Sequence, residues 1–225
     1  KVVTKLPALP VGICNIEEWI NKQIEASLAR LGLNSIHGVL LHRSENVLGN
    51  AGPQVIQSLQ RLKSQGLTQK IGVSIYDPQE LTQVFKVMEI DLVQSPLNLL
   101  DRRLETSGWL TLLRARGVEI HTRSSFLQGL LLMPRTEIPK KFERWSNIWD
   151  AWHNGLIECK TSATAACLSY PLSLLEVDQV VTGVDNAEQL SQLIKISNKK
   201  TKLDDWSFLI SEDDQLINPT HWSSL

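Results

Sequence analysis

Six short apolar runs, each ending in a polar residue of a type that does chemistry, constrain this chain more than any other feature. They read Val2-Val3-Thr4-Lys5, Gly38-Val39-Leu40-Leu41-His42, Ile71-Gly72-Val73-Ser74, Asp91-Leu92-Val93-Gln94, Val118-Glu119-Ile120-His121 and Val180-Val181-Thr182-Gly183. Segments of helical periodicity separate most of them. Strand, polar tip and helix in repetition are the pattern of a TIM-type (β/α)8 barrel, whose active face is built from the C-terminal strand ends. The six tips are therefore candidates for one site. Six is two short of the eight strands that close such a barrel.

Composition narrows the function classes. A chain of 225 residues is long enough for one large core, and barrels of about 250 residues are usually single domains, so residues 1–225 read as one domain. Hydrophobic and charged fractions of 42% and 21% are those of a globular protein, which excludes disordered and fibrous classes. A net charge of -1 makes no electrostatic case for nucleic acid or an anionic membrane. The basic clusters Lys140-Lys141 and Lys199-Lys200-Thr201-Lys202 are short and read as solvated loop or helix ends. Cys14, Cys159 and Cys167 are odd in number and lack CxxC spacing, so neither a disulfide framework nor a zinc site is indicated. Reduced thiols suit a cytosolic, cytoplasmic protein. No apolar run approaches the ~20 residues of a membrane helix.

Between the strands, Asn15 is placed to cap a helix through Trp19, Ile20, Ile24, Leu28 and Leu31, stopped by Gly32. Pro53 starts a second, with Val55, Ile56, Leu59 and Leu62, ending at Gly66. Asp77-Pro78 opens Gln79–Met88, and Glu105–Arg116 is closed by Gly117. The long irregular stretch from Thr122 to about Lys141 follows a strand end, where a functional reason is the rule. Trp145, Trp149 and Trp152 form one helical stripe, read as packing in preference to an aromatic cage. Helices over Thr161–Leu168 and Asn186–Ser197 flank a sixth strand at Asp178–Thr182, and Asn198–Leu225 is expected to wrap the barrel surface or cover its mouth.

Six strands leave two edges, and the simplest account is that two βα units belong to the natural protein and precede Lys1. An apolar gap is then expected beside Val2–Thr4 and beside Val180–Thr182. The alternative, an open doubly wound sheet, needs a ligand at a topological switch point, and no GxGxxG or Walker motif is there to serve one.

The run Val3-Thr4-Lys5-Leu6, then Ser27-Leu28-Ala29-Arg30-Leu31-Gly32, Leu40-Leu41-His42, Lys70-Ile71-Gly72-Val73-Ser74, Val93-Gln94 and Thr182-Gly183 resembles the aldo-keto reductase family in order and spacing. Arg123-Ser124-Ser125-Phe126-Leu127-Gln128-Gly129-Leu130-Leu131 looks like the bacterial branch. The resemblance covers essentially the whole chain, from the family's third strand onward. It implies hydride transfer between NADPH or NADH and the carbonyl carbon of a small-molecule aldehyde or ketone. Lys5 matches the family Lys, whose charge lowers the pKa of a Tyr hydroxyl that protonates the forming alkoxide. His42 matches the His that orients the carbonyl. Ser74 and Gln94 match residues that bind the nicotinamide carboxamide, although Ile75 stands where Asn is common. Arg123 and Ser124 match the approach to the pyrophosphate; the segment containing Gly183, Asp185 and Gln189 matches the adenosine end and lacks the Lys and Arg of NADPH-preferring members.

The family's Asp and Tyr have no counterpart. Tyr76 and Tyr170 are the only tyrosines, and neither falls at the family position. The chain alone is therefore expected to show little or no carbonyl reduction. Two rival readings stay open: a non-catalytic relative serving as a regulatory or nucleotide-binding subunit, and a lyase or aldolase barrel using Lys5 as a Schiff-base amine.

Overall fold

Five of the six apolar runs become strands, and the sixth contributes only Val180 to one. The computed structural model describes residues 1–199 and 205–225, and its strands are β1 (Val3–Leu6), β2 (Ile36–Leu41), β3 (Thr68–Ser74), β4 (Leu92–Pro96), β5 (Glu119–Arg123) and β6 (Gln179–Val180). They form one parallel sheet in chain order, with β1 and β6 as its edges. The central strands are buried on both faces, as their unbroken apolar runs require. β6 is shorter than the expected Asp178–Thr182. Val181 and Val184 beside it are 43% and 41% exposed, and Val2, Val3 and Thr4 at the other edge are half-buried. Of the second basic cluster, Lys200, Thr201 and Lys202 lie outside the described residues.

The chain divides into two compact units. The first comprises residues 1–95 and 112–120, with helices α1 (Ile16–Leu31), α2 (Glu45–Leu48), α3 (Gly52–Ser64) and α4 (Glu80–Val87). α1 buries Ile16, Ile20, Ile24 and Leu28, an i, i+4 stripe that leaves Trp19 half-buried and Leu31 exposed at its margins. Asn15 accepts the Glu18 amide at one end, and Gly32 takes the left-handed conformation (φ 64°) at the other. α3 carries Pro53 in its first turn and buries Val55, Leu59 and Leu62. At the N-terminal strand ends, buried Glu119 accepts from His37 Nε2 at 2.8 Å and pairs with Lys70 Nζ at 2.6 Å, a grouping on the face that serves stability in a barrel.

The second unit comprises residues 96–111 and 121–225. The expected helix Glu105–Arg116 is instead two, α5 (Arg103–Thr106) and α6 (Trp109–Ala115), broken where Gly108 adopts φ 79°. Then follow α7 (Ser146–Glu158), α8 (Ala163–Ser173), α9 (Ala187–Ser197) and α10 (Asp214–Ile217). The tryptophan stripe is packing. Trp149 and Trp152 are fully buried and donate to the carbonyls of Phe142 and Leu131 at 2.9 and 3.1 Å, while Trp145 donates to Asp213. Gly155 makes room for Trp206, since a Cβ there would lie 2.8 Å from its ring. Trp206 packs on Trp152 with centroids 5.2 Å apart, so the C-terminal segment seats on α7.

Cys167 on α8 is fully buried, and burial pushes its thiol well above the ordinary range, whereas Cys14 is exposed. Because the thiolate is the nucleophile, a thiol-specific disulfide reagent is expected to label Cys14 promptly and Cys167 only after denaturant is added. Rapid labelling of Cys167 in the folded protein would contradict this packing of α8. Among the described residues, no helix is long and apolar enough to cross a membrane.

Candidate active site

Within the first unit, strand register puts four of the expected residues on one side of the sheet. Lys5 pairs with Leu40, Leu40 with Gly72 and Gly72 with Leu92. Residues two apart on a strand point to the same face. His42, Ser74 and Gln94, each two residues beyond a member of that row, therefore share its face one level nearer the C-terminal ends. Ser74 and Gln94 are direct register partners, and the Ile75 amide donates to the Gln94 carbonyl at 2.9 Å.

Lys5 starts a level lower, but its long side chain climbs. Its ammonium donates to Ser74 Oγ at 3.1 Å. Gln94 and Ser74 are buried; Lys5 and His42 are half-buried. His42 continues the β1–β2 ladder by donating its amide to the Leu6 carbonyl at 3.2 Å, which fixes its backbone at the strand end. The result is a cation, an imidazole, a hydroxyl and an amide presented on one face, the donor-rich set needed where negative charge develops on oxygen.

Asp77-Pro78-Gln79-Glu80 begins α4 as a capping box, with Asp77 accepting the Gln79 amide and Glu80 Oε1 accepting the amides of Tyr76 and Asp77, all at 2.8 Å. Sequence reasoning found the helix start and missed what else Glu80 holds: its other oxygen accepts from the hydroxyl of Ser44, two residues beyond His42.

In the second unit, Arg123 ends β5 and donates through Nη1 to Ser124 Oγ at 3.1 Å. The next residues are unusual. Ser124, Leu127 and Gln128 have φ of 63°, 46° and 53°, and Gly129 follows at 86°. Non-glycine residues in this region are held there by their surroundings and cluster at functional sites. Asn98, fully buried, holds the first of them. Its Nδ2 donates to the Ser124 carbonyl at 3.1 Å, while its Oδ1 accepts the amides of Leu100 and Asp101, both at 2.9 Å. Thr122 Oγ1 and Ser125 Oγ, on either side of Arg123 and Ser124, are buried with no protein partner. Buried hydroxyls left so are the exception in proteins, and they fit a segment whose remaining partner is a ligand.

Gly183 and Asp185 are exposed in the turn before α9, and Gln189 is exposed in the first turn of that helix. Asn186 caps that helix by accepting the Gln189 amide at 2.9 Å, and Gln189 Oε1 accepts the Asp185 amide at 2.8 Å. Gln189 thus already has a capping role, and the Asp185 amide is used within the turn. Tyr170 lies buried on α8 with its hydroxyl donated to Glu105, and burial followed by that carboxylate pushes its pKa up; Tyr76 sits two residues past Ser74.

Comparison with known proteins bears on the chain as a whole. The model of the "Aldo/keto reductase family" matches residues 1–210. The chain is 26% identical over 193 residues to the uncharacterized oxidoreductase YqkF of Bacillus subtilis, covering 81% of this chain and 61% of that protein. It is 30% identical over 115 residues to the NADH-specific methylglyoxal reductase of Escherichia coli, covering 51% of this chain and 35% of that protein. Its fold resembles the aldo-keto reductase AKR11C1 from Bacillus halodurans in its apo form with a TM-score of 0.73 at 20% identity, over 94% of this chain and 73% of that one. The chain thus spans less than two thirds of the length of both curated relatives, and its fold corresponds to six βα units of a (β/α)8 barrel.

Proposed function

The chain belongs to the aldo/keto reductase family, and on that premise we propose that it forms the greater part of an enzyme that reduces an aldehyde or ketone with a nicotinamide nucleotide. The observation that carries this reading is the 3.1 Å contact between Lys5 Nζ and Ser74 Oγ. It joins the residue matched to the catalytic Lys to one matched to the carboxamide contact, across a β-strand, as a shared site requires.

When bound, the nucleotide would supply a hydride. By the family resemblance, Ser74 and Gln94 would hold the carboxamide; Arg123 and Ser124 are the residues matched to the pyrophosphate, and Gly183, Asp185 and Gln189 those matched to the adenosine end. A guanidinium suits phosphate, and the orphaned hydroxyls of Thr122 and Ser125 fit that role. His42 donates to the substrate carbonyl and sets its direction. Lys5 keeps positive charge beside the proton donor, favouring the anionic form of a phenol and so easing proton release. The family's Tyr donor and its Asp partner have no counterpart among residues 1–225.

We also propose a preference for NADH. The residues 183–189 offer no cation for a 2′-phosphate, and the Asp185 carboxylate repels one while suiting a ribose hydroxyl. Fluorescence titration of the complete protein is expected to give tighter binding of NADH than of NADPH, with Asp185→Ala narrowing the difference. Equal affinity for the two would remove this preference. A broad panel of aldehydes and ketones tests the reaction itself, each assayed by loss of absorbance of the reduced nucleotide.

A second reading is a regulatory or nucleotide-binding subunit that keeps the site, since neither Tyr76 nor Tyr170 falls at the family's Tyr position. A complete protein that binds nucleotide yet turns over no carbonyl in that panel would select it.

A further inference from the structure

We propose that Ser44 and Glu80 are positioning residues that fix His42 relative to Ser74, an inference that rests on the reading of the site given above. Glu80 makes more bonds than its helix needs. The capping box uses one carboxylate oxygen, which accepts the Tyr76 and Asp77 amides at 2.8 Å. The second oxygen leaves α4 and accepts the hydroxyl of Ser44 in the loop after β2. Ser44 is 1% exposed, so water does not compete for that hydroxyl. A hydrogen bond to a carboxylate in such a place is among the strong ones, and removing one partner leaves the other unsatisfied.

The bond lies where it matters. Ser44 is two residues beyond His42 and Tyr76 two beyond Ser74, so one carboxylate closes a bracket across the two loops that leave the site. Below the bracket the sheet holds the same two residues, through the His42 amide to Leu6 and through the register pair of Ser74 with Gln94. Above it the turn begins at once, with the Val47 amide donating to the Ser44 carbonyl at 3.1 Å. Each backbone is therefore pinned on both sides of its functional side chain. Catalysis by an imidazole that orients a carbonyl is sensitive to placement of this kind.

The test reads His42 with and without turnover. In protein labelled at the five histidines, the His42 ring signals are identified by their loss in His42→Asn and followed in Ser44→Ala, Glu80→Ala and the double variant. Ser44→Ala is expected to shift or broaden the His42 signals and leave those of His153 in place, with the helical circular-dichroism signal unchanged. Glu80→Ala should move them at least as far. Ser44→Ala should add nothing further in the Glu80→Ala background. In the complete enzyme, Ser44→Ala is expected to lower kcat/KM for the carbonyl by about tenfold or more while nucleotide affinity stays put. Unmoved His42 signals in Ser44→Ala, or additive effects in the double variant, overturn the inference whatever the activity. Signals that move as expected in a protein that reduces no carbonyl overturn the proposed reaction and leave the positioning role standing.

Discussion

Replacing Gly72 by alanine is expected to cost at least about 3 kcal/mol of stability, or to prevent folding outright. A Cβ at this position would lie 1.7 Å from the Leu92 carbonyl oxygen and 2.7 Å from its carbon. Those atoms belong to the backbone of β4, the register partner, so no rotamer change relieves the clash. Either β3 and β4 separate or the ladder slips, and a slip by one residue would turn Ser74 and Gln94 away from Lys5. Gly66 supplies the control. It sits at φ 74° with nothing within 4 Å of its missing Cβ. Gly66→Ala should cost only the left-handed penalty of about 1–2 kcal/mol. Urea denaturation of the three proteins compares them directly. Equal midpoints for the two variants would show that β3 and β4 are not so closely apposed.

The central strands were legible because each is a largely apolar run that must be buried on both faces, and the caps at Asn15 and Gly32 because they are local chemistry. What escaped was set at long range or by competition. Gly108 lies inside a helical pattern, where its left-handed φ ends one helix and starts another; Gly117 drew attention as the terminator although both glycines turn the chain. The two-residue β6 stops within the run Val180–Gly183, an end that periodicity does not mark. Lys5, His42, Ser74 and Gln94 could be named as strand tips, but the 3.1 Å bond between Lys5 and Ser74 joins residues 69 apart. Asn98 was invisible for a related reason. A lone Asn inside Leu97–Leu100 reads as an interruption, yet it anchors the strained residues that follow β5. Glu80 went unnoticed although Asp77-Pro78 was read as opening the helix, because its bond to Ser44 depends on two strands lying side by side.

Lys5→Met in the complete enzyme should reduce turnover by roughly 10²–10⁴-fold, the range that proton transfer by a positioned group contributes. Methionine keeps length and apolar stem and removes only the ammonium, so β1 should still pair with β2 through Thr4 and Lys5's own backbone. Nucleotide affinity is expected to change little, even though Ser74 loses the ammonium that donates to it, because Ser74 keeps its place through its pairing with Gln94. The pH dependence carries the sharper expectation. If Lys5 acts by holding down the pKa of a phenol, the residual activity of the variant should respond to a proton donor that ionises at higher pH than in the parent. A loss of nucleotide binding equal to the loss of turnover would instead make Lys5 a binding residue. A borohydride-trapped adduct between Lys5 and a carbonyl substrate would select the Schiff-base chemistry, since that route needs the amine as nucleophile where the hydride route needs only its charge.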